Sequence, residues 1–177
     1  MNELTRLSEV LTVMKIPHRL ELPNKEIPFE QLFISLDRDE EKEDPDFLLH
    51  VCFLEERIQF FCNLPLTIPA LKLLETHRLL ALLNRPVPYG TFGLTEVRTR
   101  ANFYFRYRLM TSNRKVSSPL ILAILEAIPF FIHGISNKVY EFLNSNKSIE
   151  TIVEEFEQDL TEVARKPFKN NCTDAIH

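Results

Sequence analysis

Hydrophobic and polar positions repeat with two different periods along this chain, and the switches between them mark out its elements. Over residues 3–15, Leu4, Leu7, Val10, Leu11 and Met14 recur at helical spacing, which predicts an amphipathic helix ended by Pro17. The period then falls to two. Residues 18–22 and 31–37 read as strands, the second with Leu32, Ile34 and Leu36 on one face. The clearest pair follows: Phe47, Leu49, Val51 and Phe53 alternate on one strand, and Ile58, Phe60, Cys62 and Leu64 on the next. A turn at Glu55-Glu56 pairs Phe53 with Ile58 and Val51 with Phe60, so both apolar sets face one core. The same register sends Cys52 and Cys62 to opposite faces, which argues against a disulfide between them.

Helical spacing returns over residues 69–84, where Leu71, Leu74, Leu79, Leu80 and Leu83 are assigned mostly to one side. Asn84-Arg85-Pro86 breaks the helix, and Gly90-Thr-Phe-Gly93 is read as a turn into a second strand pair, 91–97 and 102–110. In the latter, Phe103, Phe105, Tyr107 and Leu109 alternate with Tyr104, Arg106 and Arg108. Ser118 is expected to cap a third helix with Pro119 at its first position, and Pro129 and Gly134 to kink or split it. A last helix, 148–165, carries Ile149, Ile152, Val153, Phe156, Leu160 and Val163 on one stripe and acidic residues opposite. The expected architecture is α+β: an antiparallel sheet with helices on one face, in the order helix–strands–helix–strand pair–helix, plus a C-terminal helix. We expect one domain over residues 1–145, an appended amphipathic helix over 146–166, and a disordered tail over 167–177.

Composition narrows the chemistry. The 177 residues are 45% hydrophobic, enough for a core without staples. A formal charge of −4 disfavours a surface built for nucleic acid, whose affinity rests on neutralising phosphates. Only 3 glycines disfavour a glycine-rich phosphate loop. Cys52, Cys62 and Cys172 show neither a disulfide framework nor zinc spacing. The N-terminal segment lacks the basic and apolar regions of a signal peptide. The longest apolar run, 120–132, holds Glu126 and Pro129 and is short for a bilayer. A soluble cytoplasmic protein is the expectation.

Candidate chemistry is sparse. GxGxxG, Walker A, GxSxG and HExxH patterns are absent. His18, His50, His77, His133 and His177 lack metal-ligand spacing, and His50 reads as an ordinary half-exposed strand histidine. Asp37, Asp39, Glu41 and Asp44 sit in a charge run without a glycine turn, so the run is read as a solvated loop rather than a cation loop. Neither a nucleophile–base pair nor a matched carboxylate pair can be picked out, so no catalytic, cofactor or metal residue is assigned and a non-enzyme is expected. The GxxG at Gly90 is shared with KH clamps but precedes a strand, and is read as a turn.

One basic island stands out over residues 98–115: Arg98, Arg100, Arg106, Arg108, Arg114 and Lys115, interleaved with Tyr104 and Tyr107. Basic and aromatic side chains on a sheet suit base stacking, and Arg100-Ala-Asn-Phe-Tyr-Phe-Arg-Tyr107 half matches such a motif. The plainer reading pairs these arginines with the chain's own excess of acids. A nucleic-acid module using this strand is therefore the alternative, behind protein binding. On the face away from the core, the register gathers Phe33, Leu48, Cys52, Phe61 and Tyr104 into a patch that needs covering, by self-association or by the C-terminal helix. Phe33, Leu48, Phe61, Tyr104, Arg106 and Arg108 are the candidate partner-binding residues, for an unidentified protein partner or a second copy.

Leu80-Ala-Leu-Leu-Asn84, Gly90-Thr-Phe-Gly-Leu94, Tyr104-Phe-Arg-Tyr-Arg-Leu109 and Ser118-Pro-Leu-Ile-Leu-Ala123 carry a resemblance. In these loose hydrophobic patterns, and in the order of elements over residues 1–145, the chain is similar to the YbjN family of small bacterial proteins. Those proteins are described as sensory-transduction regulators and share a fold with type III secretion chaperones. The resemblance implies an α+β domain, a dimer, and protein binding of a regulatory or chaperone-like kind. It carries over no catalytic residue, and the C-terminal helix and tail lie outside it.

Overall fold

A computed structural model of the protein describes residues 3–36, 47–54, 56–97, 100–111 and 117–165. The acidic run 37–46, Arg98, Arg114, Lys115, Cys172 and the 167–177 tail lie outside these residues. Ten elements follow in order: α1 (Glu3–Val13), β1 (His18–Glu21), β2 (Gln31–Ser35), β3 (Leu48–Leu54), β4 (Arg57–Pro69), α2 (Leu73–Leu83, entered through a 3-10 turn at Ala70–Lys72), β5 (Thr91–Val97), β6 (Arg100–Met110), α3 (Ser118–Asn144) and α4 (Ile149–Arg165). The strands form one antiparallel sheet in the order β1-β2-β3-β4-β6-β5. The α+β expectation and its C-terminal helix are borne out.

The sheet is built outward from the β3–β4 hairpin. Phe53 faces Ile58, Val51 faces Phe60 and Leu49 faces Cys62, the pairing the alternation implies. β4 runs further than its apolar alternation suggests. Its ladder with β6 steps from Leu64↔Phe103 to Thr67↔Asn102, so Pro65, which has no N–H to give, falls in a bulge rather than in the ladder. Beyond the bulge Ile68 and Ala101 pair and are both buried.

Every helix contributes to the layer on the inward face. α1 supplies Leu4, Leu7 and Leu11, and stops at Val13 rather than at Pro17. Its end is a Schellman motif. Lys15 takes a left-handed φ of 57°, and the Lys15 and Ile16 N–H groups return to Thr12 O at 3.1 Å and Leu11 O at 2.9 Å. Met14 thereby leaves the helical stripe and is exposed. In α2 the inward residues are Thr76, Leu79, Leu80 and Leu83, while Leu71 and Leu74 are 96% and 75% exposed. The expectation that these five leucines lie mostly on one side holds for Leu79, Leu80 and Leu83 and is corrected for Leu71 and Leu74: Leu74 sits well round the helix from Leu79 at 100° per residue.

α3 corrects three expectations. It runs unbroken through Pro129 and Gly134, because Ile121, Ile124, Ile128, Ile132, Ile135, Val139 and Phe142 bury one continuous face that outweighs one lost backbone bond. Its N-cap residue is Ser117 rather than Ser118, with no side-chain cap bond. Its apolar character also extends past residue 132: the 26-residue helix Pro119–Asn144 is, by length and composition only, long and apolar enough to cross a membrane. Gly134 serves packing instead of breaking the helix. A Cβ there would stand 3.3 Å from Phe156 Cε2, so the small residue lets α4 approach closely. Phe156 and Ile152 are fully buried in the same core as the sheet residues. The α4 stripe docks on its own chain, and Val163 at its far end stays exposed.

Asn84 closes the structure at the β5 edge. Its side-chain amide donates to Phe92 O at 2.9 Å and accepts from Phe92 N–H at 2.8 Å, as a neighbouring strand would. These two bonds satisfy edge groups that would otherwise template a foreign strand.

Phe156→Ala should cost about 3–5 kcal/mol in urea unfolding. Glu157→Ala, on the exposed side of α4, should stay within about 0.5 kcal/mol of wild type. Equal stability of the two variants would show that α4 is not docked in solution.

Candidate functional site

The sheet has two faces and the helices take one of them. On the other face the cross-strand register lines up Arg19, Phe33, His50, Phe61, Arg106 and Thr91, one residue from each of the six strands in spatial order. These side chains touch as well as align. The Arg19 guanidinium lies 5.1 Å from the Phe33 ring centroid, and Phe33 stacks on His50 at 4.8 Å and 15°. Phe61 stacks on Tyr104 at 5.8 Å, and Arg106 lies 5.8 Å from the Tyr104 centroid. On β2, β3, β4, β5 and β6 each alternates with buried core residues, and Arg19 on β1 follows from its pairing with Phe33, so the placement follows from period two and register.

All six sequence-predicted partner residues fall on this outward face. Phe33, Phe61 and Tyr104 are half-buried, Leu48 is 40% exposed, and Arg106 and Arg108 are exposed. Cys52 corrects the expected patch: it also faces outward but is only 2% exposed, so it offers no surface. Burial also pushes its thiol pKa up, keeping it protonated and unreactive. Of the two expected covers, the C-terminal helix is not one, since α4 packs against α2 and α3 in the other layer. Tyr104 lies flat across β5 because its partner there is Gly93; a Cβ at Gly93 would stand 2.6 Å from the Tyr104 hydroxyl.

Among the described residues the β6 arginines do not pair with the chain's own acids as the plainer electrostatic reading expects. Arg108 Nε donates to Gln59 Oε1 at 2.9 Å, and Arg106 rests on Tyr104. Among the described residues, neither forms an ion pair with a carboxylate, and nor does Arg100 on the same face of β6. Arg19 is held by Glu21 at 2.9 Å. Among the described residues, the guanidinium groups of Arg100, Arg106 and Arg108 thus stand beside half-exposed aromatic rings without a carboxylate partner. The opposite layer is different. A cleft of about 360 Å³ at the α2–α3–α4 junction holds Lys72, Arg78 and Lys147, but its charges cancel internally. Lys72 pairs with Glu75 at 3.3 Å, and Lys147 with Glu141 and with Glu155 at 2.7 Å.

His50 is the member of the row that sequence reasoning undervalued. Burial lowers its pKa below the ordinary 6.5, with Glu21 opposing the shift, and its buried Nε2 has no hydrogen-bond partner. Arg19 was missed altogether. The signal was present, since counting register outward from the β3–β4 hairpin through β2 brings Arg19 into line, but β1 is only four residues long. Among the described residues no group of three or more His, Cys, Asp and Glu side chains is placed to hold a metal ion. Compared with known proteins, the chain matches no protein-family model and no curated protein.

The depressed His50 pKa sets a pH dependence. Below 6.5 the unfolded chain binds a proton that the folded chain resists, so stability falls as pH drops from 6.5 toward the folded value and is unaffected by this group above it. The urea midpoint of wild type should therefore fall between pH 7.5 and pH 5.5, and His50→Phe, which keeps the stack on Phe33, should show a smaller fall. Identical falls would remove His50 from the account.

Proposed function

We propose that this is a non-enzymatic binding protein, regulatory or chaperone-like, that takes a partner polypeptide on the outward face of its sheet. The carrying observation is the row Arg19–Phe33–His50–Phe61–Arg106, with Tyr104 and Leu48 beside it: large apolar and aromatic side chains left half-open at the centre of a rigid sheet. Aromatic residues and arginine are the types that dominate protein-binding hot spots. The YbjN-like order of elements supports the same reading, because that resemblance implies protein binding. We also propose that the protein works in the cytoplasm, where the Cys52 and Cys62 thiols would stay reduced, and that two copies associate weakly through this face when no partner is present.

A second reading has one observation in its favour. Stacked aromatics beside unpaired arginines are also what single-stranded nucleic acid would use. The net charge of −4 counts against it, since a strand long enough for tight binding must run past this face onto acidic surface.

Fluorescence anisotropy separates the two, using the full chain against a labelled, reduced and carboxymethylated unfolded protein and against labelled oligouridylate. The unfolded protein should bind, Phe61→Asp should abolish binding, and Leu74→Asp on exposed α2 should not. Salt-sensitive binding of oligouridylate alone, lost in Arg106→Ala, would replace this reading with the nucleic-acid one.

A further inference from the structure

We infer that the segment recognised by the outward face is a short extended peptide with two carboxylates six positions apart and apolar side chains at the two same-facing positions between them. The inference rests on the protein-binding reading above and names the chemistry of its partner. It begins from charge. Arg106, Arg108 and Arg100 meet no carboxylate among the described residues, so the outward side of β6 carries positive charge that no described side chain neutralises, whereas Arg19 at the far end of the row is paired with Glu21. A ligand that covers Phe33, Phe61 and Tyr104 without bringing negative charge would strand these guanidinium groups at a drying interface. A ligand carboxylate would instead accept the paired N–H groups of an arginine fork, whose planar geometry matches it.

The spacing comes from the register. Arg19 and Arg106 end the row, with Phe33, His50 and Phe61 between them, and they lie on β1 and β6 in the order β1-β2-β3-β4-β6. Four inter-strand steps of about 4.8 Å separate the two arginines by about 19 Å. An extended peptide rises about 3.3 Å per residue, so about six residues cover that distance. Parity then matters. Alternate side chains of an extended segment point to the same side, so the carboxylates must be an even number of positions apart to face the sheet together. Positions two and four between them face the same way and meet the Phe33–His50 stack and Phe61. At one end the ligand carboxylate would displace or share Glu21 on Arg19; at the other it would find Arg106 unoccupied and Arg108 beside it.

Nucleic acid fits this arrangement less well. Its charge continues beyond any short span, whereas two carboxylates place charge only where the arginines are. A second copy is also disfavoured as occupant of the whole row, because the same basic face would meet itself.

The test uses labelled nine-residue peptides and the intact chain. The matched peptide has Glu at its second and eighth positions, Leu and Phe at its fourth and sixth, and Ser or Thr elsewhere. It should bind, and moving the second Glu by one position should weaken binding several-fold while leaving composition unchanged. Replacing both Glu by Gln should weaken it further, and Arg106→Gln should cost about tenfold against the matched peptide alone. Arg85→Gln, on an exposed turn away from the sheet, should change nothing. Equal binding of the matched, shifted and Gln peptides, all lost in Phe61→Asp, would overturn the acidic-partner inference while leaving protein binding intact. Absence of binding by any peptide together with tight binding of oligouridylate would overturn both. Doubling of mass by sedimentation equilibrium, with every peptide excluded until Phe61→Asp restores the monomer, would assign the face to a second copy instead.

Discussion

The register of the β3–β4–β6 pairing is the constraint from which the rest of this protein follows. With Phe53 opposite Ile58 and Phe60 opposite Tyr107, every odd-or-even choice along three central strands is made at once. A slip of one residue would turn Phe60, Phe103 and Phe105 to solvent and bury Arg106 and Arg108, a cost no helix layer could offset. The same choice therefore fixes the core and the binding face. One set of alternate residues is sealed beneath α1, α2, α3 and α4, and the complementary set becomes the outward row.

The helix layer exists to keep that register. α3 lays one uninterrupted apolar stripe against the sheet, long enough that neither Pro129 nor Gly134 divides it. α4 then closes over Gly134 with Phe156 and is tied to α3 by Lys138, which pairs with Glu155 at 3.5 Å and Asp159 at 3.2 Å. Asn84 occupies the backbone of Phe92 at one sheet edge, and β1 is short at the other. Growth of the sheet at its edges is discouraged at both ends, which leaves its outward face as the place for recognition.

Much of this was legible in the sequence because it depends on period. The alternations Phe47 to Phe53, Ile58 to Leu64 and Phe103 to Leu109 give the hairpin, the core face and the outward placement of Phe33, Leu48, Phe61, Tyr104, Arg106 and Arg108 without any tertiary information. What period could not give was context. Leu71 and Leu74 read as core although their positions on the helix point away from it. Pro129 read as a break because the strength of the opposing burial is a property of the packed layer. Cys52 read as exposed although it has the right face, since burial depends on neighbours beyond its own strand. That Arg106 and Arg108 meet no carboxylate among the described residues was likewise invisible, because the acidic composition of the whole chain says nothing about where the carboxylates fall.

One face of the sheet is sealed and the other stands open in the monomer, the form that dominates where self-association is weak. Hydroxyl-radical footprinting of the full chain at low micromolar concentration, read residue by residue by mass spectrometry, tests this most directly. The account predicts rapid modification of Phe33, Phe61, Tyr104 and Met110 and protection of Phe60, Phe92, Phe103 and Phe105. Protection of Phe61 and Tyr104 equal to that of Phe103 would contradict it.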